Sequence, residues 1–87
     1  MALIKKKLTV NNKQGLHARP AALFVQLANK FSSKITIRHG KEEVNGKSIM
    51  GILMLGAGEG ANITLEIDGS DAEAAIVELE KILNSEE

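Results

Sequence analysis

No cysteine occurs in the chain, so neither a disulfide nor a thiolate-held metal can hold the fold, and packing must do it alone. Tryptophan and tyrosine are absent as well, which removes the side chains best suited to stacking on nucleic-acid bases. Basic and acidic residues balance at 11 each, without the positive excess of nucleic-acid-binding domains, so no direct nucleic-acid contact is expected. No apolar run approaches the roughly 20 residues needed to cross a bilayer, and no membrane insertion is expected. The opening Met1-Ala2-Leu3-Ile4-Lys5-Lys6-Lys7 places its basic cluster after the apolar residues, the reverse of a secretory signal. The expected location is the cytoplasm. What is present, 87 residues of which 44% are apolar and 25% charged, is the balance of a single small globular domain spanning 1–87.

Periodicity divides the chain into short elements. Ile4, Leu8 and Val10 alternate with Lys5, Lys7 and Thr9 as in a half-buried strand, with Lys6 interrupting the apolar face. Asn11-Asn12-Lys13-Gln14-Gly15 reads as a loop. A helix follows from about Ala18, with Leu23, Leu27 and Phe31 as its apolar stripe and Phe24 and Ala28 beside them. Pro20 suits a first helical turn, where its missing N–H has no intrahelical partner to lose. Strands are expected over Lys34–His39 and Glu42–Val44, joined by a turn at Gly40, and over Asn62–Asp68. A brief helix fits within Lys47–Leu55, with Ile52 and Leu55 in the core. The last helix opens on Ser70-Asp71-Ala72-Glu73, a capping-box spacing, and carries the stripe Ala72, Ala75, Ile76, Leu79, Leu83. The middle strands are too close in sequence for a parallel crossover. The expected class is therefore α+β, an antiparallel sheet covered by helices.

The informative residue is His17, between a glycine-containing loop and a helix start marked by Pro20. Free N–H groups and the positive end of the helix dipole favour an anion there. A phosphate on His17 would lie against them, and Arg19 can add a charge-assisted guanidinium bond. Neutral imidazole is a usable nucleophile near neutral pH. A surface histidine at an irregular helix start, beside a solvated Arg19, fits the position equally well.

The segment Gly15-Leu16-His17-Ala18-Arg19-Pro20-Ala21 closely resembles the active-site signature of the HPr family, the histidine phosphocarriers of the bacterial phosphoenolpyruvate:sugar phosphotransferase system. The resemblance covers essentially the whole chain and includes a second motif, Lys47-Ser48-Ile49-Met50-Gly51. It implies an open-faced β-sandwich, a four-stranded antiparallel sheet with three helices on one face, and it implies no cofactor. It also implies that enzyme I phosphorylates His17 on Nδ1, that Arg19 steadies the phosphate, and that an enzyme IIA receives it. Such a protein is a carrier rather than an enzyme, since each half-reaction leaves it chemically changed. A monomer suits relay among several partners.

Ser48 stands where the short helix begins and fits an N-cap. The resemblance adds a regulatory role, phosphorylation by an ATP-dependent HPr kinase/phosphorylase and recognition by a catabolite-control transcription regulator. It also matches Ile49, Met50 and Leu53 to the apolar spots that meet enzyme I and enzyme IIA. Ala22, with Arg19 and Gln26 on the polar side of the first helix, extends that partner-binding patch. Gly46 and Gln14 depart from the commoner family residues, and Gly46 is expected to loosen its turn. Two other functional readings stay open: a regulatory binding module working through phospho-Ser48, and a carrier of a nitrogen-regulatory branch.

Other signals carry no chemistry. His39 reads as structural or surface, and two separate histidines do not make a metal site. Gly56-Ala57-Gly58-Glu59-Gly60 lacks the Gly-Lys-Ser/Thr ending of a phosphate loop and reads as a turn. Lys5, Lys6 and Lys7 read as a solvated edge, and Glu78, Glu80, Glu86 and Glu87 as solvent-facing or tail residues.

Overall fold

Alternating and helical periodicities become, in chain order, β1 (Ala2–Thr9), α1 (Ala18–Ala28), β2 (Lys34–His39), β3 (Glu42–Asn45), α2 (Ile49–Leu55), β4 (Asn62–Gly69) and α3 (Ala72–Asn84). The computed structural model describes residues 2–84, so the tail residues Glu86 and Glu87 lie outside the described residues. The strands form one four-stranded sheet in the order β1-β4-β2-β3, antiparallel throughout. This is the α+β open-faced sandwich expected from the sequence, with three helices.

One face of the sheet carries Leu8, Ile35, Ile37, Ile63, Leu65 and Ile67, all buried. Strand alternation leaves Arg38 on the other face, where it pairs with Glu43 at 2.8 Å and Glu66 at 3.1 Å. Lys6 is opposite Leu65 and so faces the helices. Its ammonium reaches Glu80 of α3 at 2.7 Å. The break in the β1 apolar face is thus a long stem that ends in an ion pair at the sheet edge. Neither Lys6 nor Glu80 is the merely solvated charge expected.

Two helix details differ from the sequence reading. The core face of α1 is Pro20, Ala21, Phe24 and Ala28, while Leu23 is 50% exposed. Alanines at positions 21 and 28 let the helix approach closely around Phe24. At about 100° per residue, this turns Leu23 outward. Phe31 lies past the helix end and is half-buried. At α3 the Ser70–Glu73 capping box is not formed. The helix begins at Ala72, and the carbonyl of Asp71 accepts its first backbone bond, from Ala75 at 3.0 Å.

The Asp71 carboxylate turns instead to the start of β2. It accepts from the Ser32 N–H at 2.8 Å and the Ser33 N–H at 3.0 Å. Both serine hydroxyls donate to it as well. The Ser33 hydroxyl, followed by the Ser32 N–H, holds the Asp71 carboxyl down from 3.8 to about 2. Since the folded value lies below the unfolded one, the clamp's contribution is fully present above pH 3.8 and lost as pH falls through about 2. Thermal melts of the parent and Asp71→Asn should therefore differ at neutral pH and converge in acid. A gap that persists unchanged at low pH would show that the charge does not matter.

Candidate functional site

Residues 10–16 carry the chain from β1 to α1 and are tied down along their length. Val10 N–H donates to Ala61 O at 2.9 Å and Asn11 N–H to Leu83 O at 2.9 Å. Gly15 N–H closes a turn onto Asn12 O at 3.1 Å, and Leu16 N–H donates to Ala57 O at 2.8 Å. Leu16 and Ala57 are both buried. Gly15 has φ +65°, and a Cβ added there would come within 2.6 Å of Gly58 Cα. Only glycine fits this backbone contact at that conformation. The segment Gly56–Gly60 is therefore the brace of the loop that presents His17, a part its sequence reading as a plain turn did not reveal.

His17 is the N-cap residue of α1, with φ −108° and ψ −178° and no side-chain capping bond. Its carbonyl accepts from Ala21 N–H at 2.9 Å, while the imidazole is exposed. No acidic side chain occupies the first turn of α1. The helix N-terminus thus retains N–H groups and partial positive charge with no carboxylate against them. Arg19, in the same turn and exposed, has no ion-pair partner among the described residues. An anion joined to the imidazole would meet both.

Ser48 is the N-cap of α2, and its Oγ accepts from Gly51 N–H at 3.1 Å. The approach to it is fixed from the far end of α1. Asn29 Nδ2 donates to Val25 O at 2.9 Å and to Lys47 O at 3.2 Å. Lys47 Nζ donates to Phe31 O at 2.6 Å. Helix α2 therefore starts beside the C-terminal end of α1. It leads back through Leu55 to Ala57, which braces the His17 loop. The structure does not bring Ser48 to His17: α1 stands between them, about 16 Å long at its 11 residues.

The expected apolar patch lies along that path. Ile52 and Leu55 are buried, whereas Ile49 is 37%, Met50 64% and Leu53 37% exposed. Ala22 is half-buried. Sequence reading missed Leu23 and Met54, exposed by 50% and 77% on α1 and α2. For Met54 the signal was available: 50, 53 and 54 share the helical face opposite 52 and 55.

Gly46 does not loosen its turn. It is buried, its N–H donates to Ile35 O at 2.8 Å, and a Cβ there would stand 2.5 Å from Ile35 Cγ2. The small residue lets the chain close onto β2. His39 Nδ1–H donates to Leu55 O at 3.2 Å and links the end of β2 to the end of α2, a structural role. Among the described residues no cluster of three or more His, Cys, Asp or Glu could hold a metal, and no helix is long and apolar enough to cross a membrane.

The family model PTS-HPr, described as the PTS HPr component phosphorylation site, matches residues 4–85. The HPr-like protein Crh of Halalkalibacterium halodurans is 45% identical over 84 residues, covering 97% of this chain and all of that protein. The crystal structure of phosphocarrier protein HPr from Bacillus anthracis superimposes with a TM-score of 0.90 at 49% identity, over 94% of this chain and 98% of that one. Crh of Bacillus subtilis, the catabolite-repression protein whose crystal structure is a swapped dimer, gives 0.77 at 40% identity over 97% of each chain.

Proposed function

Since the chain belongs to the HPr family, we propose that it is a phosphocarrier of the phosphoenolpyruvate:sugar phosphotransferase system, loaded on His17 by phospho-enzyme I and unloaded to an enzyme IIA. The observation that carries this reading is the exposed imidazole at the start of α1, with Arg19 beside it lacking an ion-pair partner among the described residues and no acid in the first turn. Transfer in starts with the Nδ1 lone pair of His17 attacking phosphorus. A new P–N bond forms as the bond to the enzyme I histidine breaks, and that histidine leaves with the electron pair. Transfer out reverses the roles, with the acceptor on enzyme IIA attacking and the His17 imidazole leaving. Arg19 and the free N–H groups of α1 meet the charge on the equatorial oxygens.

The exposed face of Ile49, Met50 and Leu53, with Ala22 nearby, is the docking surface for both partners in this reading. A monomer leaves that face and His17 open together. Ser48 supplies a second role, as substrate of an HPr kinase/phosphorylase whose product meets a catabolite-control regulator. Its support is the N-cap position beside the docking face and the similarity to Crh proteins. A module working through Ser48 alone would need neither a nucleophile at position 17 nor its arginine, and this favours the carrier reading.

Arg19→Ala tests the mechanism. Phosphoryl transfer from enzyme I should slow by roughly 10–100-fold, the effect of one lost hydrogen bond to a charged group, with the phosphate still on His17. Rapid-quench kinetics followed by peptide mass analysis measures both. An unchanged rate would remove the guanidinium from the mechanism.

A further inference from the structure

The chain has no cysteine, so methionine thioethers are its only readily oxidised sulfur. Two of its three methionines, Met50 and Met54, lie one turn apart on the same face of α2. At 64% and 77% they are the two most exposed large apolar side chains among the described residues. Ile52 and Leu55 anchor the opposite side of the helix in the core. Ile49 and Leu53, each 37% exposed, flank the pair. With only seven residues in α2, these four side chains make up most of its solvent face. An oxidant therefore reaches both sulfurs without any opening of the fold, and no thiol within the molecule competes for it.

We propose that Met50 and Met54 form an oxidation site through which peroxide weakens docking to enzyme I, an inference that rests on the docking face described above. A sulfur lone pair attacks one peroxide oxygen, and an S–O bond forms as the O–O bond breaks. The departing hydroxide takes the proton of the new S–OH group and leaves as water. Sulfur loses two electrons and peroxide gains them. The product is a sulfoxide, a polar group where an apolar one stood. In the free protein its oxygen is hydrated, so the stability of the fold is unaffected. Docking over this apolar face strips that water away, and the cost falls on binding alone. The imidazole of His17 and the guanidinium of Arg19 are untouched, so the chemical step keeps its rate.

The test treats the full chain with hydrogen peroxide, removes the oxidant, and locates each sulfoxide by peptide mass, so that Met1 is read separately. Phosphoryl transfer from enzyme I is then followed over a range of carrier concentrations. The KM of the oxidised protein should rise about tenfold, the effect of burying one unpaired polar group, with kcat and the melting temperature unchanged. Methionine sulfoxide reductases supplied with a dithiol should bring the KM back. In the double variant Met50→Leu, Met54→Leu, peroxide should leave that variant's own KM where it was. Unreacted sulfur at both positions, or an unchanged KM once both sulfoxides have formed, would overturn this inference and leave the carrier reading standing. So would a rise in KM that persists in the leucine variant, or one explained by a fall in melting temperature. An untreated protein that takes no phosphate from a competent enzyme I would overturn the carrier reading, and this inference with it.

Discussion

His17→Ala is expected to abolish phosphoryl acceptance from enzyme I while leaving the melting temperature close to that of the parent. Both halves follow from how α1 begins. The imidazole is exposed and makes no capping bond, so its removal empties no core space and leaves no buried group unpaired. Surface changes of that kind usually stay within about 0.5 kcal/mol. The His17 carbonyl, which accepts from Ala21 N–H, is backbone and survives the substitution. What is lost is the nitrogen to which phosphorus would bond, and Arg19 cannot replace it because a guanidinium stays protonated and offers no nucleophile. Circular-dichroism melts and a phosphoryl-transfer assay on the same preparation check the two halves. A folded variant that still acquires acid-labile phosphate would remove His17 from its role. An unfolded one would show that the side chain holds the helix start.

Gly15→Ala should be the most damaging single-methyl change near the site. The backbone there has φ +65°, and the new Cβ would lie 2.6 Å from Gly58 Cα and 2.7 Å from Ala57 O. Both neighbours are backbone atoms, so no side-chain rotation relieves the contact, and the two loops must part. Left-handed backbone at a non-glycine residue and overpacking each cost about 1–3 kcal/mol, which places the total at roughly 2–6 kcal/mol. In a domain this small, that lowers the melting temperature by roughly 10 °C or more. Parting the loops also breaks the Leu16 N–H bond to Ala57 O, so phosphoryl acceptance should fall even where the variant is folded. Gly58→Ala is the matched control, since a Cβ there meets nothing within 4 Å. If Gly15→Ala melted with the control, the brace would not be what holds the His17 loop.

These two positions also show what a sequence can and cannot disclose. The start of α1 was legible because Pro20 and the apolar spacing after it point to one boundary, and the boundary fell just after His17. The N-cap at Ser48 and the buried pair Ile52 and Leu55 were legible for the same local reason. The inward strand residues followed from alternation alone, Ile35 and Ile37 on β2 and Ile63, Leu65 and Ile67 on β4.

The misreadings were tertiary. The rotation of α1 that exposes Leu23 depends on how closely Ala21 and Ala28 let the helix approach. The Ser70–Glu73 spacing had the right local pattern, but Asp71 found four donors at Ser32 and Ser33, far along the chain. The brace of Gly15 on Gly58 joins segments that nothing in their local patterns connects. The same holds for Lys47, whose ammonium on Phe31 O fixes the start of α2 from the end of α1. Nothing local marked Asn12 as buried.

The two proposed phosphorylation sites are separated by the length of one helix. His17 stands at one end of α1 and Ser48 beside the other, with the exposed residues of α2 along the path between them. A phosphate on Ser48 would therefore add charge at the edge of the proposed docking face without contacting the His17 loop. In the proposed reading, regulation through Ser48 would act on partner binding rather than on the reacting nitrogen.

The central claim is that His17 carries the phosphoryl group, and the most direct measurement is intact mass of the unaltered protein after incubation with enzyme I, Mg²⁺ and phosphoenolpyruvate, with and without brief acid treatment. The account predicts a single added phosphate that disappears in acid and maps to the peptide containing His17. No added mass, with an enzyme I shown to be competent on another acceptor, or an acid-stable phosphate at Ser48 alone, would contradict it.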